Sequence, residues 1–473
     1  MEVVSRLRTS FNSFKTRSLD FRAAQLRALK QLIDENNEAI TTAINHDLGR
    51  CAVETNLCEL VLLQKDIAEN LSNLSKWNSN TSYKSPFALF PVKWYVSLSF
   101  LTIFVLIISP WNYPFLLTFS PLISAITAGC VACIKPSELS PFTSSLIAEL
   151  VPKYLDPECF IVVQGGISES QELLSIKWDK IFFTGSTSVG KIVMKAAAEY
   201  LTPITLELGG KSPTIISDRV RDLELVSRRV TYGKLLNNGQ TCVSPDYALV
   251  SQSIFDEFVS KMIGTMSGFY AGNFSGSPDY CRIISQKHAS RLVGLVDDAL
   301  EKAAELLYGD LNSISIKDKF IPPILLKIEK SNPKFDQILI LSEEVFGPIL
   351  TLIPIDTPDF TNHCIQYINS RPKPLALYIF SEDQSEVNQI LSSTSSGGCC
   401  VNDCLVHLGV TGLPFGGVGD SGMGSSHSKA GFDEFVHYKS VVHRGTWIES
   451  DKGLRYPPYD ERTSQWLLKL AKI

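Results

Sequence analysis

The sequence predicts an α/β protein built on covered parallel sheets, and three observations predict it. Between residues 130 and 250, short apolar runs alternate with helix-patterned segments, the order that gives parallel strands joined by crossover helices. The chain has 473 residues, 44% of them hydrophobic, enough apolar mass for two or three domains with a buried core. It carries 44 Lys+Arg against 49 Asp+Glu, a net charge of −5, so it lacks the basic surface of a nucleic-acid binder. Its eleven cysteines are too sparse for a disulfide scaffold and read as reduced intracellular thiols.

Taken in chain order, residues 3–19 contain no acid but carry Arg6, Arg8, Lys15 and Arg17. A mitochondrial presequence has that composition, but a solvated helix face explains it as well and is the reading taken here. Leu26, Leu29, Ile33, Ile40 and Ile44 then recur at helical spacing, predicting one long amphipathic helix. From Trp94 to Ile134 there is no Asp, Glu, Lys or Arg. A membrane span needs about 20 apolar residues. The most apolar stretch, Phe100 to Ile108, is much shorter, and Pro110 and Pro114 follow it. Rich in Ile, Val and Phe, it predicts a buried parallel strand. Pro121 onward predicts a helix leading into a strand at Val131–Ile134. After that, helices are expected at Ser140–Leu150, 168–175 and Val189–Tyr200, and strands at Phe160–Gln164, Lys180–Phe183 and Ile204–Leu208. No internal repeat, low-complexity tract or interdomain linker is evident.

Parallel sheets of this kind bind ligands in the loops after the carboxyl ends of their strands. Two such loops stand out, Lys135-Pro136-Ser137-Glu138 and Thr184-Gly185-Ser186-Thr187-Ser188-Val189-Gly190. The second is nearly a phosphate-binding P-loop, but Ile192 follows Lys191 where a magnesium-holding Ser or Thr is required, which excludes phosphoryl transfer. A helix N-terminus with small residues remains, suited to a dinucleotide phosphate. Cys242 follows Asn237-Asn238-Gly239-Gln240-Thr241, and Glu207 precedes the pair Gly209-Gly210. A thiolate can attack a carbonyl and a carboxylate can activate water. No histidine sits in a cysteine-protease motif. Cys399, Cys400, Cys404 and His407 lack zinc-ligand spacing, so no metal site is expected.

Together these pieces resemble the aldehyde dehydrogenases, and in particular the class 3 branch that acts on fatty and aromatic aldehydes. The resemblance spans about Lys15 to Pro458. It rests on Pro110-Trp111-Asn112-Tyr113-Pro114, Lys135 to Glu138, the 184–190 loop, Glu207 to Pro213 and Gly239 to Cys242. Further motifs are Glu343 to Pro348, Lys373 to Tyr378, Pro414 to Gly417, Ser421 to Gly424 and, for class 3, Gly453 to Pro458. It implies a Rossmann-type dinucleotide-binding domain over 1–80 and 103–207 and an α/β catalytic domain over 208–430. A small β bridging element at 81–102 and 437–446 and a C-terminal tail at 447–473 complete it.

The implied reaction is NAD- or NADP-dependent oxidation of an aldehyde through a thiohemiacetal and a thioester. Cys242 would be the nucleophile, Glu207 the general base and Asn112 the oxyanion donor. For the cofactor, Lys135 and Glu138 would reach the adenosine ribose. Gly185, Ser186, Thr187, Ser188, Val189 and Gly190 would form the phosphate loop, with Glu344 and Phe346 at the nicotinamide ribose and ring. The resemblance also implies a homodimer working in the cytoplasm, with peripheral membrane contact open to an amphipathic turn around Trp466–Leu470. Ser188 stands where the family loop usually has Gly. A positive φ there, or a disturbed 97–104 segment, would instead leave a fold that binds without catalysing.

Overall fold

The computed structural model describes residues 2–83, 92–99, 104–410 and 412–444, with the isolated positions 457, 461 and 465; of residues 2–4, 82–83, 92–99 and 442–444 it describes the backbone alone. The described part holds two compact units, one of residues 1–74 and 102–435, the other of 75–101 and 436–473.

The larger unit contains two sheets. The first runs in the order Gly422–Met423, Ile204–Glu207, Lys180–Thr184, Phe104–Ile108, Val131–Lys135, Phe160–Val162. All of its pairings are parallel except that of Gly422–Met423 with Ile204–Glu207. Its inner strands Phe104–Ile108 and Val131–Lys135 are apolar along Val105–Ile107 and Val131–Ile134 on both faces, and helices pack against both strands. Val105, Leu106, Ile107, Val131, Ala132, Cys133 and Ile134 are all fully buried, each larger side chain contributing about 2 kcal/mol. From Phe104–Ile108 the chain first builds outward through Val131–Lys135 and Phe160–Val162, then returns to Lys180–Thr184 on the other flank. That reversal lies between the loops after Ile108 and after Thr184, the place where such sheets take ligands.

The second sheet runs Glu305–Tyr308, Ile324–Lys327, Ile349–Ile355, Tyr247–Ser251, Pro213–Ile216, Ala376–Phe380, Gly398–Val401. Only its first pairing is antiparallel. The smaller unit is a three-stranded antiparallel sheet of Thr81–Tyr83, Val92–Ser99 and His437–Arg444.

Two sequence expectations need correction, and a third falls partly outside the described residues. The single amphipathic helix is two, Leu19–Glu35 and Asn37–Leu48. Asn36 breaks the run because its side-chain amide donates back to Leu32 O at 2.8 Å, competing with helix continuation. The helix expected from Pro121 begins earlier, at Leu116, and carries Pro121 inside it. A proline there costs about 3 kcal/mol. What starts the helix early is a distant carboxylate, since Glu59 Oε2 accepts from both Phe115 N and Leu116 N at 2.8 Å. The predicted strand from Phe100 is described only as Phe104–Ile108; residues 100–103, and with them half of the 97–104 segment, lie outside the described residues.

Candidate active site

The two sheets of the larger unit present opposite ends to one place. Glu207 ends Ile204–Glu207, Gly185 follows Lys180–Thr184, Asn112 follows Phe104–Ile108 and Lys135 ends Val131–Lys135, so four parallel strands send their carboxyl ends to one edge. The second sheet contributes from amino ends instead. Cys242 precedes Tyr247–Ser251 and Glu344 precedes Ile349–Ile355. Asn112 Nδ2 donates to Gln240 O at 3.1 Å, and Asn237 Nδ2 donates to both Asn112 O (2.9 Å) and Gln240 O (3.1 Å). Tyr113 Oη and Thr241 Oγ1 lie 2.7 Å apart. These bonds bring the Asn112 loop against the turn that carries Cys242.

That turn is built from left-handed residues. Asn237, Asn238 and Gly239 have φ of 51°, 54° and 72°, a run that asparagine tolerates and glycine favours. At Gly239 a Cβ would lie 2.2 Å from Gly347 O, so glycine is required twice over. Gln240 ties the turn down, donating to Asn237 O and Arg282 O and accepting from Ile284 N. Cys242 is half-buried. Burial, then the charges of Glu344 and Glu207, raise its thiol above the ordinary value, against the pull of its own backbone N–H and that of Val243. The resting group is therefore a thiol with N–H donors in place for the thiolate.

Glu207 is 4% exposed, and its Oε1 makes no hydrogen bond within the chain. Burial lifts its carboxyl to about 7, against the Ser426 hydroxyl and with help from the charge of Glu434. A carboxylate balanced near neutrality suits a general base.

Glu344 is fixed by the glycine pair that follows Glu207. Gly210 N–H donates to its Oε1 at 3.2 Å, and burial lifts its carboxyl to about 7. A Cβ on Gly209 would lie 2.4 Å from both carboxylate oxygens. Sequence reasoning missed the residues that hold this segment, because they are scattered along the chain. Arg291 donates to Glu344 O (3.1 Å) and Val345 O, Asp246 accepts from Val345 N (2.8 Å), and Lys211 pairs with Asp246 while donating to Glu343 O (2.8 Å). Phe346 has φ 53° and stands edge-on to Trp111, ring centres 5.4 Å apart; Trp111 meets His288 at the same distance. Gly209→Ala is accordingly expected to displace Glu344 and, with Glu344 in the nicotinamide-ribose role that the motif implies, to weaken NAD or NADP binding about tenfold, roughly 1.4 kcal/mol, read as quenching of tryptophan fluorescence on titration.

The loop from Gly185 fits a diphosphate. Ser186 caps the helix Thr187–Ala198 by accepting from Val189 N, and Ser186, Ser188 and Val189 are exposed, so first-turn N–H groups face outward. Gly190 packs on Leu208, where a Cβ would meet Cδ2 at 2.7 Å. Ser188 lies in the right-handed helix and is absent from the positive-φ residues, which removes the backbone strain that was one of the two grounds for a non-catalytic reading. Lys135 is buried at its strand end, its Nζ donating to Pro136 O at 2.9 Å and standing 3.5 Å from Glu138. The cysteines at 399, 400 and 404 lie in or beside the strand Gly398–Val401, and no group of His, Cys, Asp or Glu among the described residues is arranged to hold a metal.

Residues 2–441 match the aldehyde dehydrogenase family. Family 3 member A2 of Rattus norvegicus is 42% identical over 98% of this chain and 92% of its own length. The dimeric NADP-preferring aldehyde dehydrogenase of the same species is 40% identical over 97% of each. The solved substrate-bound state of Staphylococcus aureus AldH superposes with a TM-score of 0.93 at 38% identity, covering 99% of both chains. The chain belongs to the aldehyde dehydrogenase family, and its reaction is the NAD(P)-dependent oxidation of an aldehyde.

Proposed function

We propose that this protein oxidises medium- or long-chain aliphatic, or aromatic, aldehydes to carboxylic acids, with Cys242 as nucleophile, Asn112 as oxyanion donor and Glu207 as base. The observation that carries this reading is the joining of the Asn112 loop to the Cys242 turn through Gln240 O, with the Glu207 and Glu344 carboxylates acting on the same thiol. Cys242 gives its proton to solvent water, and its Sγ, as the thiolate that the Cys242 and Val243 N–H groups favour, attacks the carbonyl carbon. The developing oxyanion is met by the Asn112 amide and the Cys242 backbone N–H, donors of a kind that contribute about 3–4 kcal/mol to a transition state. Lys135 and Glu138 would hold the adenosine ribose, Gly185 to Gly190 the diphosphate, and Glu344 and Phe346 the nicotinamide ribose and ring. The nicotinamide, when bound, supplies the hydride acceptor. Glu207 then takes a proton from the water that cleaves the thioester, and sulfur leaves as the soft group that makes this step accessible.

The apolar substrate class is supported by what surrounds the thiol. Cys242 packs against the cluster that contains Cys404, Leu405 and Phe415, and the segment beyond carries Val406, Val410 and Leu413, each about half exposed (52%, 49% and 51%). In this reading the first sheet and its helices form the dinucleotide-binding domain and the second the catalytic domain. The protein acts as a cytoplasmic homodimer, with peripheral membrane contact through the tail after Pro458. None of the helices among the described residues is long and apolar enough to cross a membrane. The test is the absorbance of reduced cofactor with hexanal, benzaldehyde and a long-chain fatty aldehyde, each with NAD and with NADP. Turnover of at least one aldehyde is expected, and silence across the whole panel would overturn the reading.

A further inference from the structure

Asn112 is held from behind by an ion pair that no catalytic step uses. Arg50 and Glu59 are both fully buried, and Arg50 Nη2 donates to Glu59 Oε1. The pair grips the Asn112 loop at both ends. Arg50 Nη1 donates to Asn112 O at 3.3 Å, and its guanidinium lies 4.9 Å from the centre of the Tyr113 ring. Glu59 Oε2 accepts from Phe115 N and Leu116 N, each at 2.8 Å. Asn237, on the nucleophile's turn, donates to the same Asn112 carbonyl at 2.9 Å.

A buried ion pair is often no more stabilising than an apolar pair of equal volume, so stability alone does not account for these two charges. Their contacts do. Without Glu59 the N–H groups of Phe115 and Leu116 would lose their acceptor, and Arg50 adds a second donor to the Asn112 carbonyl that Asn237 already bonds. The pair satisfies them from one rigid body, and it fixes where the Asn112 amide stands relative to Cys242. An amide displaced by about 1 Å loses most of its value to an oxyanion.

We propose that Arg50 and Glu59 are positioning residues that hold Asn112 in its oxyanion-donating place, an inference that rests on the role given to Asn112 above. The test is a double-mutant cycle between Arg50→Lys and Asn112→Ala. Arg50→Lys keeps the charge opposite Glu59 but loses the guanidinium fork that reaches Asn112 O and covers Tyr113. Its kcat is expected to fall about tenfold to a hundredfold, with KM for aldehyde and cofactor changed less than about twofold, and with Cys242 alkylated by iodoacetamide at the wild-type rate. In the Asn112→Ala background the same substitution should add less than about twofold, because the donor it positions is gone.

Should Arg50→Lys fail to fold, the paired R50M/E59Q variant removes both charges and carries the same cycle. A wild-type kcat in the Arg50 variant, or an equal fall in both backgrounds, overturns the positioning role. An Asn112→Ala enzyme with unchanged kcat overturns the assignment of Asn112 itself, whereas a slow Asn112→Ala beside an unaffected Arg50→Lys overturns only the inference.

Discussion

Cys242→Ala is expected to leave a folded protein that oxidises aldehydes at least about ten-thousandfold more slowly than wild type. In the proposed mechanism the sulfur forms the covalent bond that holds the substrate through both chemical steps, and nothing else among the described residues around it replaces that nucleophile. The ten other cysteines of the chain include seven that are buried. Apart from Cys242, the three half-buried ones are Cys51, Cys58 and Cys399, none of which lies in the Asn112–Gln240 network. Measurement is by initial rates with excess enzyme, alongside melting curves to establish folding. Rates within about a hundredfold of wild type would show that another group carries the reaction. Because burial and the Glu344 and Glu207 carboxylates hold the Cys242 thiol up, its alkylation by iodoacetamide should be slow near neutrality and accelerate with pH. Removing one of those charges, as in Glu207→Gln, should speed it.

Glu207→Gln is expected to lower steady-state turnover about a hundredfold to ten-thousandfold while sparing the first turnover. Thioester formation does not need the base on water, so reduced cofactor should appear in a burst of about one per active site, followed by a slow phase. A variant with neither burst nor turnover would place Glu207 in the attack step rather than in hydrolysis. The pH dependence has a definite sign. The base works as the carboxylate, and burial lifts Glu207 to about 7. Wild-type kcat should therefore rise through that value and level off above it, and the variant should lack this limb.

Stability runs the other way. A carboxyl whose folded value is raised above the unfolded one favours the native state fully below the unfolded value of about 4.5, and that contribution is lost as pH rises through about 7. The difference is of the order of 3 kcal/mol. Glu207→Gln should accordingly melt higher than wild type at about pH 8 and show little gain at about pH 4, where wild-type Glu207 is already neutral. The residue is a standing cost to the fold that the reaction requires.

Much of this site was legible in the chain because its parts are local. The strand end at Thr184 and the small residues up to Gly190 mark a helix N-terminus wherever they occur. Gly209-Gly210 is visible as a glycine pair after Glu207, but that it makes room for the Glu344 carboxylate is seen only in the structure. The apolar run before Asn112 reads as a strand by its length and its Ile, Val and Phe content, and the described part, Phe104–Ile108, is one. Illegible were the parts whose cause lies far along the chain. The helix at Leu116 begins there because of Glu59, and the Glu344 segment stays put because of Arg291, Asp246 and Lys211. A periodicity argument sees Pro121 as a start because it has no knowledge of a carboxylate arriving from another helix.

The sequence by itself determined the alternation of strands and helices between residues 130 and 208 and the family motifs, and through those motifs it proposed the groups that touch the reaction, since these depend on side-chain chemistry and short-range spacing. Only the tertiary structure decided that the carboxyl ends of one sheet meet the amino ends of the other, that Ser188 takes helical backbone, and that Glu207 sits buried near its titration point. Each of those depends on which distant groups are brought into contact and how much water they exclude, and desolvation and electrostatic coupling are properties of the packed whole, not of any segment.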